Sequence, residues 1–340
     1  MYILHMKKHI YVAYTGGTIG MRPSSHGFIP AAGFLTETLA KMPEFHRSEM
    51  PNFTIHEYDN LIDSSDMNPT DWQKIANDIH QNYQQYDGFI ILHGTDTMAY
   101  TASALSFMLE DLGKPVIVTG SQIPLAQLRS DGQVNLLNAL YIAANYPIAE
   151  VTLFFNNQLF RGNRSRKLDA DGFNAFDSPN FPPLLKAGIN IEVNKNILGI
   201  DSSKNLHVSQ IESQPIGVVT LYPGISTDVI KNTLQQPVKA LILLSFGVGN
   251  APQNPSLLKQ LSIADQQGII VLNCTQCVRG KVNMHGYANG HVLREVGVVS
   301  GQDMTPEAAL AKLHYLLSKN LPPSHIKRQL IANLRGELTE

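Results

Sequence analysis

Cysteine, tryptophan and charge are all scarce in this chain: of 340 residues, two are cysteine, one is tryptophan and 16% are charged. Two thiols cannot staple a chain of this length, so no disulfide framework specifies the fold. Cys274 and Cys277 form a single C-x-x-C that closes an apolar, strand-like run. A redox pair usually opens a helix and a zinc site needs further ligands, so both are expected to be buried, structurally inert thiols. Long apolar runs are missing as well. Stretches such as 240–244 and 269–272 are a handful of residues long, against the roughly 20 that a bilayer-spanning helix requires. The first eight residues carry only a short apolar stretch, with charges after it and no small-residue cleavage site, which does not make a secretory signal. Cytoplasmic residence and no membrane partner are the expectations, with Met1 and Met6 both candidate starts. Basic runs are lacking too. Lys+Arg at 26 against Asp+Glu at 28 gives a net charge of -2, and nucleic acid is excluded as an expected partner.

What is present is a globular composition, 43% hydrophobic, at a length that suggests two domains. The first half alternates short apolar runs with helix-period segments, the pattern of an α/β fold with a parallel sheet covered by helices. Strands are predicted at 9–15, 53–58, 88–92, 115–118 and 151–155, several of them apolar throughout, as strands buried on both faces are. Asn68-Pro69 opens a helix whose stripe is Trp72, Ile75, Ala76, Ile79 and Tyr83. Further helices are predicted over 98–112 and 131–145. The polar stretch 194–215 reads as a linker, dividing an N-terminal domain (6–193) from a smaller α/β domain (216–340). That second domain is expected to hold strands at 216–222, 240–246 and 269–274 and helices at 306–318 and 323–334.

Open parallel sheets bind ligands outside the carboxyl ends of their strands. The loops there share one chemistry: Thr15-Gly16-Gly17-Thr18, Asp63-Ser64-Ser65-Asp66, His93-Gly94-Thr95-Asp96-Thr97, Thr119-Gly120-Ser121-Gln122, and a segment after the fifth strand that holds Lys167. Each has a plainer reading. Gly16-Gly17 lacks the spacing of a dinucleotide fingerprint and the lysine of a P-loop, so a tight turn presenting Thr18 is preferred. Single threonines are more often turn formers and caps. His93 is better read as a packed strand terminus than as a base, and a lone lysine as a solvated charge. Together, however, Thr18, Thr95, Asp96 and Lys167 supply a nucleophile, a relay hydroxyl, an orienting carboxylate and a base, a set that permits nucleophilic acyl transfer.

Thr15-Gly16-Gly17-Thr18-Ile19-Gly20 and His93-Gly94-Thr95-Asp96-Thr97-Met98 at this separation resemble the two signature motifs of the bacterial-type asparaginase and glutaminase family, most nearly its cytoplasmic type I branch. The resemblance extends to Asp63–Met67, Ser130–Asn135 and Gly247–Asn250, and so over essentially the whole chain. It implies a large N-terminal domain with a mainly parallel sheet, a smaller Rossmann-like C-terminal domain, and assembly as dimers or tetramers. It implies hydrolysis of L-asparagine through a β-aspartyl ester on Thr18, with water then activated by Thr95, Asp96 and Lys167. Asp63, Ser64, Ser65, Thr95 and Asp96 would bind substrate, with Asn250 reaching a neighbouring subunit's site. Backbone amides near Thr95 would form the oxyanion site. Neither metal nor organic cofactor is implied.

The chain departs from the family at Phe28, where many members place a loop tyrosine, and at Ser65, where secreted relatives often carry glutamine. Arg166 and Leu244 stand where some cytoplasmic members place the threonine and arginine of an effector asparagine site, while Cys277 is retained. Two other readings compete. One is the ammonia-generating subunit of a tRNA-dependent amidotransferase, which usually carries an N-terminal extension before its first strand. The other is a non-catalytic amino-acid-binding homologue, supported only by Phe28.

Overall fold

The computed structural model describes residues 7–25, 27–198, 205–284 and 288–339, the side chains of 288 and 289 excepted. Met1, Met6 and the middle of the expected linker (199–204) lie outside the described residues. The chain divides into two units: residues up to Ser178 with 182–209 form the first, and 179–181 with 210 onward the second.

The first unit is built on eight strands: β1 His9–Gly16, β2 Asn52–Ile62, β3 Gly88–Leu92, β4 Val116–Thr119, β5 Val151–Phe155, β6 Gln158–Arg161, β7 Leu185–Ala187 and β8 Ile191–Val193. Their order in the sheet is β8-β7-β6-β5-β4-β3-β1-β2. The strands from β5 to β2 run parallel, so the loops after β1, β2, β3 and β4 open on one edge. Every residue of β3, β4 and β5 is buried, as helices on both faces of a sheet require. β6, β7 and β8 continue the sheet antiparallel. A two-residue turn, Asn156-Asn157, joins β5 to β6 with φ of 46° and 61°. That positive-φ pair matches the twist of a hairpin and suits asparagine better than most residues.

Three helices flank the site's edge: α1 Pro69–Asn82, α2 Met98–Met108 and α3 Gly132–Asn145. α1 starts on a reciprocal cap in which Asn68 and Asp71 each bond the other's backbone, with Pro69 at the first helical position. Its stripe Trp72, Ile75, Ala76 and Ile79 is buried as predicted. α2 stops at Met108, short of the predicted Leu112, because Leu109–Glu110 turns extended and pairs antiparallel with His207–Val208. A partner strand distant in sequence overrides the local helical period there.

The second unit holds a four-stranded parallel sheet, β9 Ile216–Thr220, β10 Ala240–Ser245, β11 Ile270–Thr275 and β12 Val299–Ser300, in that order. Val219, Leu241, Leu243, Val271, Leu257 and Leu261 lie in its core. Its last helices are α4 Pro306–Ser318 and α5 Pro323–Ile331. α5 ends three residues before the predicted limit because Ala332 is already extended, and the Glu337 carboxylate then takes the N–H groups of Leu334 and Arg335 at 2.7–3.1 Å. Between these elements lies a buried ion pair: Lys312 Nζ stands 2.5 Å from Glu337 Oε1, with both side chains fully buried. Lys312 also donates to the carbonyls of Leu330 and Ala332. The two cysteines part company with expectation. Cys274 is buried in β11, and burial pushes its thiol up to about 12, but β11 ends at Thr275 and leaves Cys277 exposed in the following loop.

Candidate active site

Four strand-end loops of the first unit meet through glycine. Gly17 takes φ 89° and lies so close to Gly94 that an added Cβ would collide with the Gly94 backbone. Gly94 in turn faces Ser64, whose Cβ stands 2.7 Å from where a side chain on Gly94 would begin. Gly120 touches His93 in the same manner. No other residue permits main chain to approach main chain this closely. Thr18, half-buried at the start of the single turn Thr18–Gly20, is thus held beside the loop that carries Thr95, and Leu125 N bonds Ile19 O at 3.0 Å behind it.

Lys167 is not in a loop directly after β5, since the hairpin β5–β6 intervenes. It sits on a short strand, Arg166–Lys167, paired with Phe176–Asp177. From there its Nζ donates to Thr95 Oγ1 at 2.9 Å and to Asp96 Oδ1 at 2.7 Å. The predicted relay hydroxyl, carboxylate and base therefore touch. Lys167 is one-fifth exposed and Asp96 mostly open to solvent, so the pair faces outward rather than into the core.

Gln122 completes this cluster, and its role is visible only in three dimensions. Thr95 Oγ1 donates to Gln122 Oε1 at 3.0 Å. The Gln122 amide nitrogen donates to the carbonyls of Ala170 and Gly172, at 3.2 and 3.0 Å. Carbonyls only accept, so those bonds fix the amide with its oxygen toward Thr95. Asp131 holds the Gln122 backbone N–H with both carboxylate oxygens, at 3.1 and 3.0 Å, and burial pushes its carboxyl up against the opposing pull of those amides. A Thr–Gly–Ser–Gln loop after a buried strand is the only signal of this in the sequence.

The Asp63 loop is a small self-contained cap. Asp63 Oδ1 accepts from Ser65 N and Ser65 Oγ, both at 2.9 Å, and Ser64 is buried with its carbonyl accepting from Thr97 Oγ1 at 2.6 Å. Phe28 is about half exposed on a hairpin that pairs Met21–Ser24 with Gly27–Pro30. Asn250 belongs to the second unit, in a turn closed by reciprocal backbone bonds with Phe246 at 2.8 and 2.9 Å. Of the effector-site positions, Arg166 lies in the first unit, and Leu244 and Cys277 in the second.

Behind the site, His93 is buried at 1% exposure. Its Nδ1 lies 2.7 Å from Gly94 O and its Nε2 2.8 Å from Thr101 Oγ1, which also receives the Trp72 indole N–H at 3.1 Å. Desolvation drives the imidazole pKa down from 6.5 to about 4, opposed by the Gly94 carbonyl. It is a neutral, packed strand terminus, the role that its sequence context favours over that of a base.

The family model described as "Asparaginase, N-terminal" matches residues 9–198, and that described as "Glutaminase/Asparaginase C-terminal domain" matches 215–330. L-asparaginase 1 of Escherichia coli (strain K12) is 67% identical over 333 residues, which cover 98% of each chain. A glutamyl-tRNA(Gln) amidotransferase subunit of Pyrococcus horikoshii is 33% identical over 336 residues, covering 96% of this chain and 75% of that one. Among solved structures, L-asparaginase I from Vibrio cholerae is similar with a TM-score of 0.92 and 68% identity, covering 98% of this chain and all of the other.

Proposed function

The chain belongs to the asparaginase family, and on that premise we propose that it is a type I L-asparaginase, an amidohydrolase that converts L-asparagine and water to L-aspartate and ammonia. The observation that carries this reading is the contact of Lys167 with both Thr95 and Asp96, on a loop packed backbone to backbone against the Gly17–Thr18 turn.

The chemistry proceeds as a double displacement. Thr18 Oγ1 attacks the side-chain amide carbon; the C–O bond forms, the C–N bond breaks, and the hydroxyl proton ends on the departing nitrogen as ammonia. Water then adds to the β-aspartyl ester, the C–O bond to Thr18 breaks, and a proton returns to Thr18 Oγ1. Thr95 passes the proton in each half, with Lys167 as its base and Asp96 orienting Lys167. Gln122 supports this by fixing where the Thr95 proton points at rest. Asp96 also receives the substrate ammonium, Ser64 the α-carboxylate, and Asp63 and Ser65 shape that pocket, while Asn250 serves a neighbouring subunit.

Self-association as a dimer or tetramer fits exposed apolar side chains on the second unit, Val218 and Tyr222 among them, which are half open to solvent. Cytoplasmic residence is part of the same proposal, supported by the likeness to the type I branch. The domain limits proposed are 6–193 and 216–340, joined by 194–215.

The test is ammonia release from asparagine by the purified protein, with Thr18→Ala as control. Turnover that falls at least about a hundredfold in the variant, without loss of fold, is expected. No ammonia from the unmodified protein rejects the activity. A Thr18→Ala variant within tenfold of it, about 1.4 kcal/mol of barrier, removes Thr18 as nucleophile.

A further inference from the structure

We propose that Trp72, Thr101 and His93 form a buried hydrogen-bond relay that locks the Gly94–Thr95 peptide with its N–H aimed at the substrate oxygen that becomes negative during acyl transfer. The proposal rests on the acyl-transfer reading above and assigns these three as positioning residues, none of which touches substrate.

The direction of every proton in the relay follows from its partners. An indole N–H can only donate, so Trp72 Nε1 donates to Thr101 Oγ1 at 3.1 Å. Gly94 O can only accept, so the His93 Nδ1 that stands 2.7 Å from it carries the ring proton. In a neutral imidazole Nε2 is then an acceptor, and the single Thr101 proton goes to it across 2.8 Å. Donation from both ends thus requires one tautomer of His93, and each link is buried: Trp72 is 5% exposed, His93 1% and Thr101 0%. The other tautomer would set two lone pairs against each other at Gly94 and leave a hydroxyl proton without its acceptor, in a buried setting where an unmet polar group is costly.

Its consequence reaches the site through the peptide bond. The Gly94–Thr95 bond is trans, and in a trans peptide C=O and N–H point in opposite directions. With Gly94 O held toward the His93 ring, the Thr95 N–H points away from it. Among the described residues that N–H meets no backbone acceptor, although Thr95 itself is 8% exposed. A backbone donor next to the relay hydroxyl, held outward by a bond on its own carbonyl, is prepared for charge that develops on a ligand. Gly94 has no side-chain constraint of its own, so without His93 the peptide plane is freer to rotate.

Two measurements decide it. In long-range 15N–1H spectra at neutral pH, with the His93 signals identified by their loss in His93→Gln, the unmodified protein should show a protonated Nδ1 and a bare Nε2. A proton on Nε2 overturns the relay whether or not the protein hydrolyses asparagine. In kinetics, Thr101→Val keeps the shape and deletes the hydroxyl; kcat should fall at least about tenfold, part of the roughly 100- to 1,000-fold worth of one oxyanion donor, with KM within about threefold, and Thr101→Ser should restore it. A Thr101→Val variant that folds and keeps kcat within twofold overturns the proposal. If the unmodified protein releases no ammonia from asparagine, the reading of the site fails, and the tautomer alone judges the relay.

Discussion

Acid should unfold the first unit through His93. Folding carries this imidazole from water, where it titrates near 6.5, into a site where burial holds it to about 4. Between those limits the unfolded chain binds a proton that the folded chain refuses, so stability is complete above pH 6.5 and is lost as pH falls toward 4. One proton is worth roughly 1.4 kcal/mol per pH unit, so going from about pH 6.5 to about 4.5 removes about 2–3 kcal/mol, a large share of the stability of an ordinary domain. Burial also lowers the pKa of His314 in the second unit, which adds a loss of the same sign there. The single tryptophan separates the two, because Trp72 is bonded to Thr101 inside the first unit. Urea unfolding followed by its fluorescence at several pH values, in the unmodified protein and in His93→Gln, isolates the contribution of His93. Glutamine keeps a donor and an acceptor but does not titrate. Whatever it costs at neutral pH, its curve should be flatter by about one proton over this window. Equal slopes in the two proteins would refute the argument that His93 folds neutral.

Lys167→Met keeps the aliphatic stem and removes the amine that bonds Thr95 and Asp96; asparagine turnover should drop at least ~100-fold, and retained activity with an unchanged pH profile would place the base elsewhere. Phe28→Tyr should raise kcat less than roughly tenfold, since the Thr95, Asp96 and Lys167 set already offers a proton route, and a rise of several hundredfold would show that the chain lacks a needed acid or base. Lys312→Met removes the ammonium that the buried Glu337 side chain bonds, a loss that for a buried pair typically costs about 3–5 kcal/mol, here expected in denaturant unfolding of the second unit. A cost below about 1 kcal/mol would refute the view that this buried pair holds the second unit together.

The sequence makes some of this legible and hides the rest for identifiable reasons. The parallel strands at the centre of the sheet can be read because burial on both faces leaves them almost wholly apolar, as in Gly88–Leu92 and Val151–Phe155, where Thr152 is the one polar residue. The antiparallel strands β6, β7 and β8 are hidden, because they are three or four residues long and the turn leading into β6 is Asn156-Asn157, without the glycine that usually marks one. Thr18, Thr95, Asp96 and Lys167 are legible as types, and the last three are found in contact. Gln122 is not, since its partners Ala170 and Gly172 are backbone carbonyls 48 and 50 residues away and leave no trace in side-chain pattern. Thr101, buried in the apolar helix α2, reads as core filling until its bonds to His93 and Trp72 are seen.

The packing of Gly17 on Gly94 also sets a ruler inside the protein. The gap between the strand that delivers Thr18 and the strand that delivers Thr95 is measured by peptide groups in van der Waals touch, not by side chains that could swell, shrink or swing. A side chain on Gly17 would have to push the Gly94 backbone aside and so widen that gap, and one on Gly94 would drive into Ser64, whereas exchanging one apolar side chain for another deeper in the unit does not change its length. The spacing of the two hydroxyls is therefore buffered against most of the mutations a chain accumulates and exposed to a very few. Those few are the glycines, residues that carry no chemistry and would be passed over in a search for reacting groups.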